Sequence, residues 1–206
     1  MYMRKLLVSI MLAVSSAAMA QGVDSLFVNM PDSLFPYLAR AQRSELLNMQ
    51  RIDTSTHAVL QSLYDGKVEM LYKDADRMTI GLDSLTTLEM SALMSEGNAV
   101  CCVLRTVATP EKHTELALYD AAWNRLQTVD IDTVQLMQRP DTMSEEQFHD
   151  LFKLVEFQLV EAHFVDAQTV ELELNIPMVS KDDRKKFAAV LVQRRLKWNG
   201  KTFVCQ

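Results

Sequence analysis

The sequence predicts an α+β protein built mostly from antiparallel sheet, with about eight or more strands and two to three packed helices. Three observations lead there. Segments that alternate apolar and polar residues recur in adjacent pairs, joined by short turn-forming stretches. Only a few stretches carry the apolar spacing of a helix. The last pair of strands is joined by Asn199-Gly200, the dipeptide that best accepts the positive φ angles of a tight hairpin turn. The order helix, meander, helix, hairpin, helix, hairpin suggests two sheet-and-helix halves within a single compact domain over 21–206. The polar stretch 130–143, which contains Pro140, is the candidate sub-domain boundary.

The elements can be placed in order. Residues 1–20 read as a signal peptide: Arg4 and Lys5, an apolar run from Leu6 to Ala18, then Ala18-Met19-Ala20 as a cleavage site. Cleavage after Ala20 leaves a periplasmic or secreted protein that begins at Gln21, and no later segment reaches membrane-spanning length. A first helix is expected from Asp32-Ser33 to Gln50, with Ser33 as its cap, Pro36 in the first turn, and Arg40, Arg43 and Glu45 on the wet side. Strands follow around Val68–Tyr72 and Met78–Leu82, with Asp74-Ala75-Asp76 as the turn between them. Leu85–Leu93 suits either strand or helix. Ala99 to Val107 is apolar on both faces, with Cys101 and Val103 on one side and Val100, Cys102 and Leu104 on the other, which marks a covered central strand.

Thr114–Tyr119 is the next strand, followed by a turn over Ala121–Arg125 into a further strand over 126–129. Ser144 with Gln147 is a capping box for a second helix carrying Phe148, Leu151, Phe152 and Val155. Val160–Phe164 and Val170–Ile176 form the clearest hairpin, turning at Asp166-Ala167. A short third helix runs from Ser180, with Asp182 and Asp183 in its first turn. A two-residue Asn-Gly turn would then set Trp198 opposite Lys201, Leu196 opposite Phe203 and Arg194 opposite Cys205. Arg194 shares a face with Leu196 and Trp198, so it should be partly buried against a carboxylate.

Four stretches carry a family likeness: Val28 to Leu38 (VNMPDSLFPYL), Val100 to Thr106 (VCCVLRT), Tyr119 to Leu126 (YDAAWNRL) and Leu196 to Val204 (LKWNGKTFV). Together they resemble an uncharacterised Bacteroidetes family of small exported proteins that bears a domain-of-unknown-function label. The resemblance implies an envelope or secreted location and transfers no catalytic residue.

Chemistry-bearing residues are sparse. Of the histidines, only His149 lies in a Glu-x-x-His pair, with Glu146, and a helical-bundle di-iron site needs that motif twice. With five glycines there is no phosphate-cradling loop, and no serine sits in a Gly-flanked elbow. No catalytic residue, cofactor or metal is therefore assigned. Cys101, Cys102 and Cys205 read either as buried thiols or as one disulfide, in which Cys205 could reach only one of the adjacent pair. Trp198 is expected in the core, and Trp123, in a turn, is either a lid over the sheet edge or an exposed contact residue.

Charge is distributed unevenly. The 206-residue chain holds 21 basic and 27 acidic residues for a net of −6, a balance that disfavours nucleic acid as partner. Residues 181–201 hold eight basic and two acidic residues, against 11 and 25 over 21–180. A binding surface would thus comprise Trp123, Arg184, Lys185, Lys186, Arg195, Lys197 and Lys201, unless the chain's own acids, such as Glu171 and Glu173, neutralise the basic residues. The expected function is a non-catalytic binding module of the cell envelope, whose partner is an envelope protein or an anionic glycan. A small periplasmic hydrolase with a cleft between the halves, and a periplasmic chaperone or lipophilic carrier, are the alternatives.

Overall fold

The computed structural model describes residues 22–126, 129–155, 158–177 and 180–206; the leader expected over 1–20 and its expected cleavage point lie outside them. Two helices, α1 (Val23–Asn29) and α2 (Arg40–Ile52), precede a six-stranded meander: β1 (Val59–Gln61), β2 (Lys67–Lys73), β3 (Arg77–Gly81), β4 (Thr86–Ser95), β5 (Asn98–Ala108) and β6 (Lys112–Asp120). A single 3-10 turn over Ile131–Thr133 and α3 (Glu145–Lys153) lead to the second sheet. That sheet holds β7 (Leu159–Asp166), β8 (Thr169–Asn175), β9 (Arg194–Trp198) and β10 (Phe203–Cys205), with α4 (Lys181–Phe187) between β8 and β9. The first sheet keeps chain order and the second runs β10-β9-β8-β7, every pairing being antiparallel. The α+β expectation holds.

Alternation sorts the side chains into two cores. Val68, Met70, Met78, Ile80, Met90, Cys101 and Val103 face α1 and α2, where they meet Leu26, Phe27, Leu38 and Leu46. Val100, Cys102, Leu104, Leu116 and Leu118 face the other way, onto Val160, Leu172, Leu196 and Trp198 of the second sheet. β5 is therefore buried on both faces, as its unbroken apolar run requires.

Side-chain bonds to backbone stitch the sheets together. Thr114 Oγ1 accepts from the Ala162 N–H at 2.9 Å, and Ser91 Oγ donates to the Ala167 carbonyl at 2.7 Å. The Trp198 indole donates to the Met94 carbonyl at 2.9 Å, and Asn175 Nδ2 donates to the Lys112 carbonyl at 2.9 Å. The first three satisfy buried polar side chains that the packing would otherwise strand away from water, whereas the Asn175 bond lies at the exposed edge. The stretch 130–143 is tied into the second core through the buried Ile131, Leu136 and Met137, and Met137 bridges to Leu191.

Several elements depart from the sequence reading. The first long helix starts at Arg40, not at Asp32, because Pro31 and Pro36 hold the intervening chain in turns; Leu34 and Phe35 N–H both return to the Pro31 carbonyl. Ser33 therefore caps nothing. The cap is at Ala39, whose N–H is accepted by the Gln42 side chain at 3.0 Å. α1 lies ahead of this, where no helix was expected. A bulge between Met70 and Tyr72 turns Tyr72 out to solvent.

The described part of 126–129 forms no strand: the Leu126 N–H bonds to the Leu118 carbonyl and Arg125 bridges Tyr119, with 127–128 outside the described residues. The closing hairpin has a longer turn than Asn-Gly alone implies, because Asn199 Oδ1 accepts from both Lys201 and Thr202 N–H. Trp198 thus pairs with Phe203, and Leu196 with Cys205. Arg194 is half-buried as expected, but its partners are the Gln135 carbonyl and Gln138 Oε1 rather than a carboxylate.

No helix among the described residues is long and apolar enough to cross a membrane. All three cysteines are free thiols: Cys101 and Cys102 are buried on opposite faces of β5, and Cys205 is exposed on β10. Burial pushes both β5 thiols far above the ordinary range, so neither presents a thiolate. A thiol reagent should accordingly modify only Cys205 in the native protein and all three after denaturation. Labelling of Cys101 or Cys102 without unfolding, read by peptide mass, would contradict the two-faced burial of β5.

Candidate functional site

The described residues bring together a cleft on the helix-bearing face of the larger sheet. Val103 and Arg105 of β5 and Glu115, Ala117 and Tyr119 of β6 form its floor. Met30, Ser33 and Leu34 make one wall, Trp123 and Arg125 the other, and the enclosed volume is about 160 Å³.

The first wall is held by Arg43. Its guanidinium is 1% exposed and lies over the Phe35 ring at 6.0 Å. It donates to the Phe27 carbonyl at 3.5 Å, to the Met30 carbonyl, and to Asp32 Oδ1 at 2.5 Å. One cation from α2 thereby ties down the carbonyl end of α1 and the turn behind it, where a positive charge also suits the helix dipole. Burial draws the guanidinium below its ordinary value, opposed by the Asp32 carboxylate. The expectation that Arg43 faces water is therefore corrected: the backbone carbonyls it meets are available only once α2 folds back on α1.

The second wall depends on Asp120. Its carboxylate accepts from the N–H groups of Ala122 and Asn124 at 2.9 Å each and from Asn124 Nδ2 at 2.8 Å, and the bonds from Asn124 hold its pKa below the usual range. This knot imposes φ +66° on Trp123, a left-handed conformation that costs a non-glycine residue energy. Trp123 is 8% exposed, with its ring 5.3 Å from that of Tyr119, and its indole N–H has no hydrogen-bond partner. It is a lid over the sheet edge and not an exposed contact.

Electrostatically the floor is unbalanced. Arg125 Nη2 reaches Glu115 Oε1 at 2.8 Å. Arg105 stands directly across from Glu115 in the β5–β6 register, yet its hydrogen bond goes to the neutral Tyr37 hydroxyl at 2.9 Å. Among the described residues, no carboxylate lies within ion-pair distance of Arg105. Burial raises the Tyr119 pKa, which keeps that phenol neutral.

The basic C-terminal residues do not join this cleft. Arg184 pairs with Glu111 at 3.0 Å, Arg195 with Glu171 at 2.7 Å, Lys186 with Asp183 at 2.9 Å and Lys185 with Asp182 at 4.0 Å. Lys197 and Lys201 are exposed and form no ion pair among the described residues. Glu173 takes Gln193 as its partner. A more spacious groove of about 540 Å³ between α3 and α4 is lined mainly by apolar side chains, Pro140, Met143, Leu151, Leu154 and Ala189, and its charged groups are engaged locally, Asp150 with Lys153 and Lys186 with Asp183. Among the described residues no cluster of His, Cys, Asp and Glu could hold a metal ion.

A crevice of about 220 Å³ opens where β7 crosses β3 and β4, lined by Arg77, Thr79, Glu89 and Phe164. Glu89 Oε2 accepts from the Phe164 N–H at 3.1 Å. Burial raises the Glu89 pKa, with Arg77 and His163 pulling it back and Glu161 adding to the rise.

Sequence reasoning did not assign Arg105, Glu115, Arg125 or Tyr37 to a site. The one signal for Arg105 was a guanidinium in an otherwise apolar strand. Three of the four stretches that carry the family likeness, 28–38, 100–106 and 119–126, each contribute residues to the cleft, whereas 196–204 closes the second core.

Two outcomes follow from this geometry. Replacing Arg43 with Ala leaves the Met30 carbonyl unpaired, the Phe27 carbonyl keeping the Met30 N–H, and should lower unfolding stability by about 1–3 kcal/mol, measured by urea denaturation. A loss within a few tenths would mean that the turn does not depend on it. A carboxylate with a raised folded-state pKa binds protons more tightly folded than unfolded, so its burial destabilises increasingly as pH rises through that window. Glu89→Gln should thus stabilise the protein at neutral pH and match wild type at acid pH below the ordinary carboxylate range. A difference constant across pH would remove the burial of a charged Glu89 as its cause.

The larger architecture is shared with a domain of an uncharacterized protein from Porphyromonas gingivalis W83, at TM-score 0.70 and 18% identity over 89% of this chain and 97% of that one. No curated protein matches the chain. The family model described as "Protein of unknown function (DUF3256)" matches residues 15–203, nearly the whole sequence, and the chain belongs to that family.

Proposed function

We propose that this protein is an exported, non-catalytic binding module of the cell envelope, and that it binds through the cleft between Leu34 and Trp123. One observation carries the reading: Arg105, a half-buried cation without a counter-ion among the described residues, sits on the floor of a preformed cleft whose two walls are each fixed by their own hydrogen-bond knot. Preorganised walls suit ligand binding because little ordering entropy is lost on association. The leader pattern of residues 1–20 supports export.

Binding is favoured over hydrolysis by the contents of the cleft. Ser33 lines it with no histidine or carboxylate bonded to its hydroxyl among the described residues, so the pairing that activates a serine nucleophile is missing there. A lipophilic carrier would need an apolar cavity on the inner face of the sheets, where Leu104, Leu116, Val160 and Leu172 instead pack against one another.

The reading is tested in two steps. Protein isolated from the envelope fraction of its own cell should begin at Gln21; retention of the leader in a cytoplasmic fraction would overturn export. The mature protein should sediment with isolated envelope fragments, and Arg105→Glu should reduce that at least about tenfold, the scale expected from reversing a charge that meets its ligand directly. Equal sedimentation of the variant would overturn the cleft as the binding site.

A further inference from the structure

We infer that the cleft takes a compact carboxylate carried on a small apolar group, with Arg105 as the residue that receives the carboxylate. The inference rests on the reading of the cleft as the binding site and adds the chemistry of its ligand.

Charge comes first. Arg105, Arg125 and Glu115 leave the cleft with a surplus of one positive charge, and that surplus lies on Arg105 because Glu115 is committed to Arg125 at 2.8 Å. A guanidinium offers a planar fork of N–H donors, and the bond from Nη2 to Tyr37 uses only part of it. A half-buried cation in this state is under-solvated, and a carboxylate is the group whose two oxygens match the fork. A singly charged anion balances the surplus. A dianionic phosphate would set its second charge against the Glu115 carboxylate across the β5–β6 register.

Size and lining supply the rest. The cleft volume of about 160 Å³ is close to the roughly 150 Å³ of a cavity that accepts benzene. It is well below the roughly 300 Å³ at which pockets for larger ligands begin. One ring or a short aliphatic chain fits, together with its charged end. Leu34, Val103, Ala117 and the faces of Trp123 and Tyr119 supply the apolar surface for it.

The protein itself carries the reporter and the control. Trp123 borders the cleft, whereas Trp198 is buried in the second core with its indole donating to the Met94 carbonyl. The indole N–H signals of both can be followed by NMR while ¹⁵N-labelled protein is titrated with sodium benzoate, benzamide or inorganic phosphate at constant ionic strength. Benzoate should shift the Trp123 signal saturably and leave Trp198 in place, and benzamide should bind about tenfold or more weakly. Phosphate should produce no saturable shift. Arg105→Gln should weaken benzoate about tenfold or more with the Trp198 signal unmoved, and Arg105→Lys, which keeps the charge without the fork, should fall between them.

Benzamide binding as tightly as benzoate, phosphate binding in its place, or an unchanged affinity in Arg105→Gln would each overturn the carboxylate assignment. If no probe shifts Trp123 while envelope sedimentation still depends on Arg105, this inference fails and the binding reading stands. If both fail, both are overturned.

Discussion

The structure depends first on a buried cation. Arg43 leaves α2 and inserts into the turn that follows α1, where it meets the Phe27 and Met30 carbonyls and the Asp32 carboxylate. Taking a guanidinium out of water costs several kcal/mol, and its worth is judged against what would replace it. An apolar side chain there would leave the Met30 carbonyl, at the end of a seven-residue helix, without a partner. α1 is too short to hold itself together by local hydrogen bonds, so its position is a tertiary product. Because Met30, Ser33 and Leu34 follow directly from that anchor, the same cation sets one wall of the cleft.

A second constraint is the double burial of β5. A strand covered on one side can alternate with polar residues, but β5 must present apolar groups to both, and it does so with the small, adjacent Cys101 and Cys102. The second sheet then packs on a face that belongs to the first, so the second core is built jointly and neither half completes its interior alone. Ser91, Thr114, Asn175 and Trp198 each bond to the backbone of the opposing sheet, and Lys112 adds an ion pair to Glu161 across the junction, which fixes how the sheets sit. Thr114 illustrates the economy: its hydroxyl serves Thr106 on its own sheet and the Ala162 N–H on the other.

The strands were legible because half-burial imposes a period of two, and a central strand is recognisable by losing that period. Caps with local partners were legible as well: Ser144 with Gln147 needs nothing beyond its own turn. What failed to show were features decided at a distance. Pro31 and Pro36 are each compatible with a helical first turn, but the chain makes one isolated turn, with Leu34 and Phe35 N–H returning to Pro31, and Pro36 has no N–H to extend it. The Asn199-Gly200 pair points to a short turn, but the Trp198–Phe203 ring contact at 5.3 Å and the bond from Trp198 to Met94 accompany a longer one. The cleft was invisible for the same reason. Arg105, Tyr37 and Arg125 lie far apart in sequence, and their meeting depends on the Arg43 anchor on one side and the Asp120 knot on the other.

That distinction bears on how the protein can recognise anything. The chain carries a net charge of −6, and Arg184, Lys186 and Arg195 among its basic C-terminal residues are held by neighbouring carboxylates. An anion approaching from solution therefore meets a repulsive field at long range, which steering cannot overcome and salt would screen. Attraction begins only inside the cleft, within a few ångströms of Arg105, where partial burial lowers the effective dielectric and strengthens a direct charge-assisted bond. Recognition of this kind selects by contact and fit, not by charge at a distance. An anion that lacks the apolar part to occupy the space between Leu34 and Trp123 gains too little to offset the repulsion. On the proposed reading, the acidic surface and the uncompensated Arg105 guanidinium of the cleft would act together as a filter for small apolar anions.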